Sequence, residues 1–346
     1  MAPSVSVVMS VYNDECYLRE SVESILNQTF KDFEFIIVDD ASSDGTADML
    51  QGYAKRDKRI RLLTNSRNLG LTASLNRGLK IAGGSYIARQ DGDDISLPKR
   101  FESQVDFLDS HPEVGVVGTW ITKINENGYE TVWRPPASPG LVRWFLLFGP
   151  CLAHPSVMFR RSLAENGSLY DSKIIYAQDY DLWVRLCSKT QIANLPKVLY
   201  LRRLHKGMIS FKHHEQQEQT TVSVMQKALT NVQGKGVKTY LAKGLRRASQ
   251  GEMLSSFAEL QDVANLIAGS YKSFITQGTL DGCERAQIAN DVVRRLRSLA
   301  LSHARQQPAG ASRVVLQSIR LEPWLFLATS LKMIFKFIVR TVGKNG

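Results

Sequence analysis

Closely spaced cysteines and long uncharged apolar runs are both missing from this 346-residue sequence. The four cysteines, Cys16, Cys151, Cys187 and Cys283, are scattered with no Cys-x-x-Cys spacing. That argues against a disulfide framework or a zinc site and for a reducing compartment. The N-terminus runs directly into a strand pattern, so no signal peptide is expected. No uncharged apolar run reaches about 18 residues, so no transmembrane helix is expected. No Gly-x-Gly-x-x-Gly follows the first strand pattern, which disfavours a dinucleotide oxidoreductase. A glycine-rich loop bearing Arg or Lys is absent there too, which weakens a nucleotidyltransferase reading.

Charge is present but unevenly placed. Residues 227–346 carry 18 Lys/Arg against 7 Asp/Glu, a net of +11, and residues 1–226 carry 26 of each. A neutral body with a basic tail points to an anionic partner for the tail alone, nucleic acid or membrane. The tail lacks zinc, RNA-sheet and helix-turn-helix signatures, so no nucleic-acid partner is expected. Residues 322–340 join a wide apolar face to a stripe of Lys332, Lys336 and Arg340. This is the pattern of a helix lying in an anionic membrane interface, with Arg294, Arg295, Arg297, Arg313 and Arg320 as further contacts. The alternative is a helix packed on the body with its charges in water.

The body reads as strand–helix alternation, the mark of a doubly wound, mostly parallel α/β sheet. Residues 4–11, 33–38, 60–64 and 86–88 are the first four strands, and helices stand between them. Asn127-Gly128 marks a hairpin turn. Ligands of such sheets bind at the carboxyl ends of the strands. Three strands here end in polar or acidic turns, at Tyr12-Asn13, Asp39-Asp40 and Asp91-Gly92-Asp93-Asp94. On extended chain Asp91 and Asp93 point the same way and can aim at one hard cation. Gly92 leaves room for a bulky ligand. The plain alternative is an acidic turn in which Asp94 or Ser96 caps the next helix, expected over 97–110. Asn68 and Gly70 sit at a helix N-terminus, where phosphate oxygens are favoured. Domains are expected at 1–211 and 212–346, the second helical.

Read together and in order, these segments resemble a family 2 glycosyltransferase with the GT-A fold, most of all the bacterial enzymes that build surface polysaccharides. The matching residues are Val7-Val-Met-Ser-Val-Tyr-Asn13, Ser24-Ile-Leu-Asn-Gln-Thr-Phe30, Ile37-Val-Asp-Asp-Ala-Ser-Ser-Asp-Gly-Thr46, Asn68-Leu-Gly70, Asp91-Gly-Asp-Asp94, His154-Pro-Ser-Val-Met158 and Gln178-Asp-Tyr-Asp-Leu-Trp183. The resemblance covers about residues 3–210.

The resemblance implies a metal-dependent, inverting transfer from a nucleoside-diphosphate sugar, UDP by default, to a carbohydrate or lipid-linked glycan. Val11, Tyr12 and Asn13 would floor the nucleotide base. Asp39 or Asp40 would accept from uracil N3–H, with a slight preference for Asp40. Asn68, Gly70, Asp91 and Gly92 would line the donor. Asp91 and Asp93 would hold Mn²⁺ or Mg²⁺, with His154 as a third ligand or a phosphate contact. Asp179 would be the general base, with Gln178 where the family usually has Glu. That departure keeps open an inactive nucleotide- or glycan-binding scaffold. Residues 205–210 would lie near the donor phosphates. Trp183 and Arg185 are expected to pack, and residues 144–148 to form a buried helix face rather than a lipid contact. The implied location is cytoplasmic, peripheral on the inner face of the cell membrane.

Overall fold

A computed structural model of the chain describes residues 3–128, 130–164, 169–205, 207–208 and 213–323. It divides into two units, one running through Thr221 and one from Val222. The division falls inside a helix, His214–Gln233.

The first unit is built on one nine-stranded sheet. Its parallel half comprises β1 (Val5–Val11), β2 (Phe33–Asp39), β3 (Ile60–Thr64) and β4 (Tyr86–Asp91). Strand β1 lies at its centre, paired with β2 on one side and β4 on the other. All seven of its residues are buried, which is why it reads as a continuous apolar run. Val5, Val7, Met9 and Val11 join one core with Leu18, Val22 and Ile25 of α1 (Glu15–Leu26). Burying each such aliphatic side chain stabilises the fold by about 1.5–3 kcal/mol. The opposite face takes α3 (Leu71–Ile81), which lies so close at Gly78 that a Cβ would meet Val8 Cγ1 at 2.7 Å. Helix α2 (Thr46–Arg56) completes this half.

The second half is mixed. A two-residue strand, β5 (Ile95–Ser96), precedes α4 (Arg100–Ser110). The apolar strand pattern at 114–118 extends much further, as β6 (Val114–Asn125), and turns through Gly128 at φ 72° into β7 (Glu130–Trp133). Helix α5 (Pro139–Phe145), strand β8 (Met158–Arg160), helix α6 (Gln178–Leu186) and strand β9 (Gln191–Leu204) follow. The sheet order is β3-β2-β1-β4-β8-β6-β9-β5, with β7 on β6. Strand β9 runs parallel to β6 with its register broken between Leu195 and Val198. Pro196 falls there, where a residue without an N–H is tolerated.

The second unit is helical. With the helix across the boundary as α7, it holds α8 (Thr239–Ser249), α9 (Phe257–Thr276), α10 (Gly282–His303) and α11 (Pro308–Leu321). Ser256 caps α9 by accepting from Glu259 N–H, and Asp281 with Glu284 forms a capping box on α10. Arg294 and Arg295, expected at a membrane surface, both pair with the buried Asp291 of their own helix. That one carboxylate offsets part of the charge of the two guanidiniums. Among the described residues no helix is long and apolar enough to cross a membrane. The stripe of Lys332, Lys336 and Arg340, and most of 322–340, lie outside the described residues.

Candidate active site

The loops that leave β1 and β2 are laced together. Asn13, at φ 56°, donates its N–H to Ser42 Oγ (3.0 Å) and accepts from Ser43 N–H through Oδ1 (2.8 Å). Asp14 N–H donates to Thr46 Oγ1 (3.0 Å), and Asp40 N–H to the Val11 carbonyl (2.9 Å). These bonds hold the two strand-end loops together, with Val11 buried and Tyr12 48% exposed.

The two neighbouring carboxylates differ sharply. Asp39 and Asp40 are each 2% exposed. Asp40 Oδ1 accepts from Asn65 Nδ2 (2.6 Å) and Leu69 N–H (2.8 Å), and its Oδ2 from Gly70 N–H (2.8 Å). Asp39 takes one bond, from Ser42 N–H (3.0 Å). The slight preference for Asp40 as the base-reading residue therefore meets a physical objection: its lone pairs already hold the loop before α3. The Gly70 N–H, expected to face phosphate, faces Asp40 instead, and Asn68 is exposed.

The stretch Asp91–Asp94 forms the acidic centre. One carboxylate oxygen from each of Asp91, Asp93 and Asp94 lies within 4.8 Å of the others. Asp91 pairs with the buried Arg89. Asp93 Oδ2 meets His205 Nε2 at 2.8 Å, and Asp94 Oδ1 accepts from Arg203 N–H (2.8 Å). The Asp94 carboxylate thus does not cap α4, and Ser96 does not either: its hydroxyl donates to Gln90 Oε1 (2.8 Å). Beneath the loop, Gln90 Nε2 donates to Ser21 Oγ (3.0 Å), and Arg100 donates to Ser96 Oγ (2.7 Å) and to the Arg89 carbonyl (2.7 Å). At Gly92 a Cβ would meet Asp14 Oδ2 at 2.5 Å and Val11 Cγ1 at 2.9 Å, so only glycine lets the loop sit on β1.

Crowded acids repel. Burial, then Asp93 and Asp91, push the Asp14 carboxyl up to about 7. Burial and Asp91 raise Asp93, and burial with Asp93 and Asp91 raises Asp94 well above the ordinary range. A hard divalent cation relieves such repulsion, and an all-oxygen donor set suits Mg²⁺ or Mn²⁺. The residues present therefore fit a metal. His154 lies apart from this group. Its Nε2 is bonded to the Tyr170 hydroxyl (2.7 Å), its ring packs edge-on to Trp183, and burial followed by Arg89 and Arg202 holds it neutral. That placement sets it outside the carboxylate group, so the third ligating side chain within reach of Asp91 and Asp93 is Asp94 rather than His154.

Asp179 opens α6, just after Ala177 at φ 53°. The segment before it is clipped to α3. Asn76 Nδ2 donates to the Tyr170 carbonyl (2.9 Å), Asn76 Oδ1 accepts from Leu169 and Tyr170 N–H (3.1 Å each), and Thr72 Oγ1 donates to the Ile174 carbonyl (3.3 Å). Asp179 is partly exposed at the surface yet deeply set among protein atoms. Desolvation raises its carboxyl, Tyr180 N–H and Arg202 draw it down, and Asp91 raises it. A desolvated carboxylate beside a cation site can accept a proton at neutral pH. Trp183 is fully buried and Arg185 pairs with Asp181 (2.6 Å), so both are structural, as expected. Trp144 and Phe148 pack edge-on in the core. Of residues 205–210, His205, Gly207 and Met208 are described; His205 is in the site, and 206, 209 and 210 lie outside the described residues. Sequence reading missed Asp14, Arg89, Arg203 and Tyr200, whose hydroxyl accepts from Asp91 N–H (3.4 Å). Asp14, next to Asn13, was the one that spacing could have found.

Known proteins share this architecture. Residues 6–167 match the family model described as glycosyl transferase family 2. The chain is 41% identical over 187 residues to the uncharacterized glycosyltransferase MJ1057 of Methanocaldococcus jannaschii, covering 53% of this chain and 64% of that one. It is 41% identical over 204 residues to the putative glycosyltransferase EpsE of Bacillus subtilis, covering 57% and 72%. It is 34% identical over 206 residues to the O-antigen biosynthesis glycosyltransferase WbnJ of Escherichia coli, covering 58% and 80%. Among solved structures, S. aureus TarS 1–349 in complex with UDP-GlcNAc superposes with a TM-score of 0.56 at 18% identity, covering 96% of this chain and 92% of that one. The mannosyltransferase PcManGT of Pyrobaculum calidifontis, in complex with GDP-Man and Mn²⁺, gives 0.54 at 18%, covering 97% and 88%. The fold is thus the GT-A fold expected from the sequence.

Proposed function

The chain belongs to glycosyl transferase family 2, and on that premise we propose that it moves a sugar, with inversion, from a nucleoside diphosphate to a carbohydrate acceptor in polysaccharide biosynthesis. The observation that carries this reading is the acidic centre at the strand end, where one carboxylate oxygen from each of Asp91, Asp93 and Asp94 lies within 4.8 Å of the others, together with Asp179 in the first turn of α6. Asp39, with acceptor capacity to spare, reads the base, which favours uracil through its N3–H. Val11, Tyr12 and Asn13 floor the nucleotide. Asp91 and Asp93, with Asp94 behind them, hold Mn²⁺ or Mg²⁺. When bound, the ion supplies Lewis-acid charge to the departing diphosphate. His205 and Arg203 orient Asp93 by bonding its carboxylate and carbonyl. Asp179 takes the proton from the acceptor hydroxyl as that oxygen attacks the anomeric carbon. One base and one displacement invert the configuration.

The net charge of +11 in residues 227–346 supports docking on an anionic membrane, on the cytoplasmic side, where a lipid-linked glycan would be presented. The experiment is release of nucleoside diphosphate from UDP-, GDP- and dTDP-sugars with Mn²⁺, Mg²⁺ or chelator, in the presence of membrane lipid extract. Release that requires metal and extract, and disappears in Asp93→Ala and Asp179→Asn, is expected. Metal-dependent nucleotide binding without release from any donor would instead identify a binding scaffold.

A further inference from the structure

Two cations stand opposite each other near the end of β6 and β9, and neither is ion-paired among the described residues. Lys123 and Arg202 are register partners in the parallel β6–β9 pair. Neither side chain forms a hydrogen bond or ion pair with another described residue. Like charges placed directly across a ladder are destabilising, so the pair is kept against a cost. Lys123 is half-buried, and its Nζ lies 5.2 Å from the centroid of the Trp133 ring. Trp133 in turn packs on a small buried cluster of Ile121, Ala153 and Tyr200. Ile121 and Lys123 are two apart on β6, and Tyr200 and Arg202 two apart on β9, so all four project from one face. Apolar floor, aromatic ring and paired cations therefore form one continuous surface.

That surface adjoins the candidate base. The Arg202 guanidinium acts electrostatically on Asp179 and Asp94 but bonds neither. Its neighbour Arg203, on the opposite face of the strand, reaches Glu20, the Asp93 carbonyl and the ring of Tyr17.

We propose that Lys123, Arg202 and Trp133 form an acceptor subsite for a sugar that carries an anionic group, a carboxylate or a phosphate. This rests on the transferase reading above. The ring of Trp133 offers a flat apolar face to a pyranose. The two cations take the anion and bring the neighbouring hydroxyl to Asp179.

The test uses the full chain and three acceptor probes: a neutral glucoside, the matching glucuronide and the matching sugar phosphate. Transfer rates (kcat/KM) are compared, and binding of the same probes is followed by ligand-observed NMR with UDP and Mn²⁺ present. One or both anionic probes should exceed the neutral one by about tenfold or more, the scale of one charged hydrogen bond. Whichever does so names the anion. Lys123→Gln and Arg202→Gln should collapse that ratio towards unity, and Lys123→Arg should preserve it. Equal use of all probes by the wild type, or equal losses on neutral and anionic probes in the variants, overturns the subsite. A lack of nucleoside diphosphate release with every donor would refute the transferase reading alone. The NMR arm still decides the subsite: a preference for an anionic probe that both Gln variants abolish sustains it, and indifference to charge overturns it.

Discussion

Asp39 and Asp40 make a sharp test, because adjacent and equally buried carboxylates are assigned opposite tasks. Asp40→Ala removes the acceptor of three donors, Asn65 Nδ2, Leu69 N–H and Gly70 N–H. Hydrogen bonds to a charged group contribute roughly 1.5–3 kcal/mol each. Loop relaxation and entering water offset part of the sum, so the expected loss is about 4 kcal/mol, near the upper end for a single substitution. At roughly 2–4 °C per kcal/mol for a unit of this size, melting should fall by about 8–16 °C. Asp40→Asn should also destabilise, since its amide would turn a donor against a donor at Leu69 or Gly70. Asp39→Ala removes only the bond from Ser42 N–H, a change of about 1.5 kcal/mol, the low end of that range because one bond alone is lost. It should nevertheless weaken UDP binding about tenfold or more, the worth of one charged hydrogen bond to the base. Circular dichroism melts and UDP titration calorimetry, run well below the melting point, separate the two effects. An Asp40→Ala protein that melts within about 2 °C of wild type would refute the structural assignment. So would one that loses UDP while Asp39→Ala keeps it.

The base and the metal set give two further expectations. Because burial raises the Asp179 carboxyl, and a base must be deprotonated, kcat/KM should fall with decreasing pH through a limb above the ordinary carboxylate range. Arg202→Gln should move that limb to higher pH, since the guanidinium favours the charged form; a limb in the ordinary range, unmoved by the variant, would contradict this. Mn²⁺ should raise the melting temperature of wild type and His154→Gln by the same amount, but not of Asp93→Asn. A metal response lost in His154→Gln would return that histidine to the ligand set.

How far the sequence carried the argument depends on the kind of residue. The four parallel strands were legible because β1 and its neighbours are covered on both faces and so read as short apolar runs. The acidic turn was legible because Asp91, Gly92 and Asp93 are contiguous. The roles of Asp39 and Asp40 were not, since they depend on which carboxylate Asn65 and Gly70 reach once α3 has packed. His154 read as a ligand because histidine before a strand is chemically ambiguous; only its bond to Tyr170 removes it from the metal set. Arg202 carried no signal at all. Its meaning comes from facing Lys123 across a strand some 79 positions earlier in the chain. The full length of β6 was hidden because its outer half, from Trp120, is only partly buried and rich in polar residues.

Backbone strain marks the same places independently of charge. Among the described residues, the non-glycine positions with left-handed φ are Asn13, Ala41 and Ala177. Asn13 and Ala41 stand beside the strand-end residues Tyr12 and Asp40, and Ala177 stands two residues before Asp179. Left-handed backbone costs an alanine roughly 1–2 kcal/mol, because its Cβ crowds the following carbonyl. Glycine would remove that cost at both alanines, but it would also widen the conformations open to the unfolded chain and to the loop itself. Alanine at these positions therefore exchanges local stability for a fixed direction of the side chain that follows or precedes it. These three loops carry the residues proposed above as nucleotide floor, base-reading acid and proton acceptor, and the bonds from Ser43 N–H to Asn13 and from Tyr170 N–H to Asn76 hold them in place.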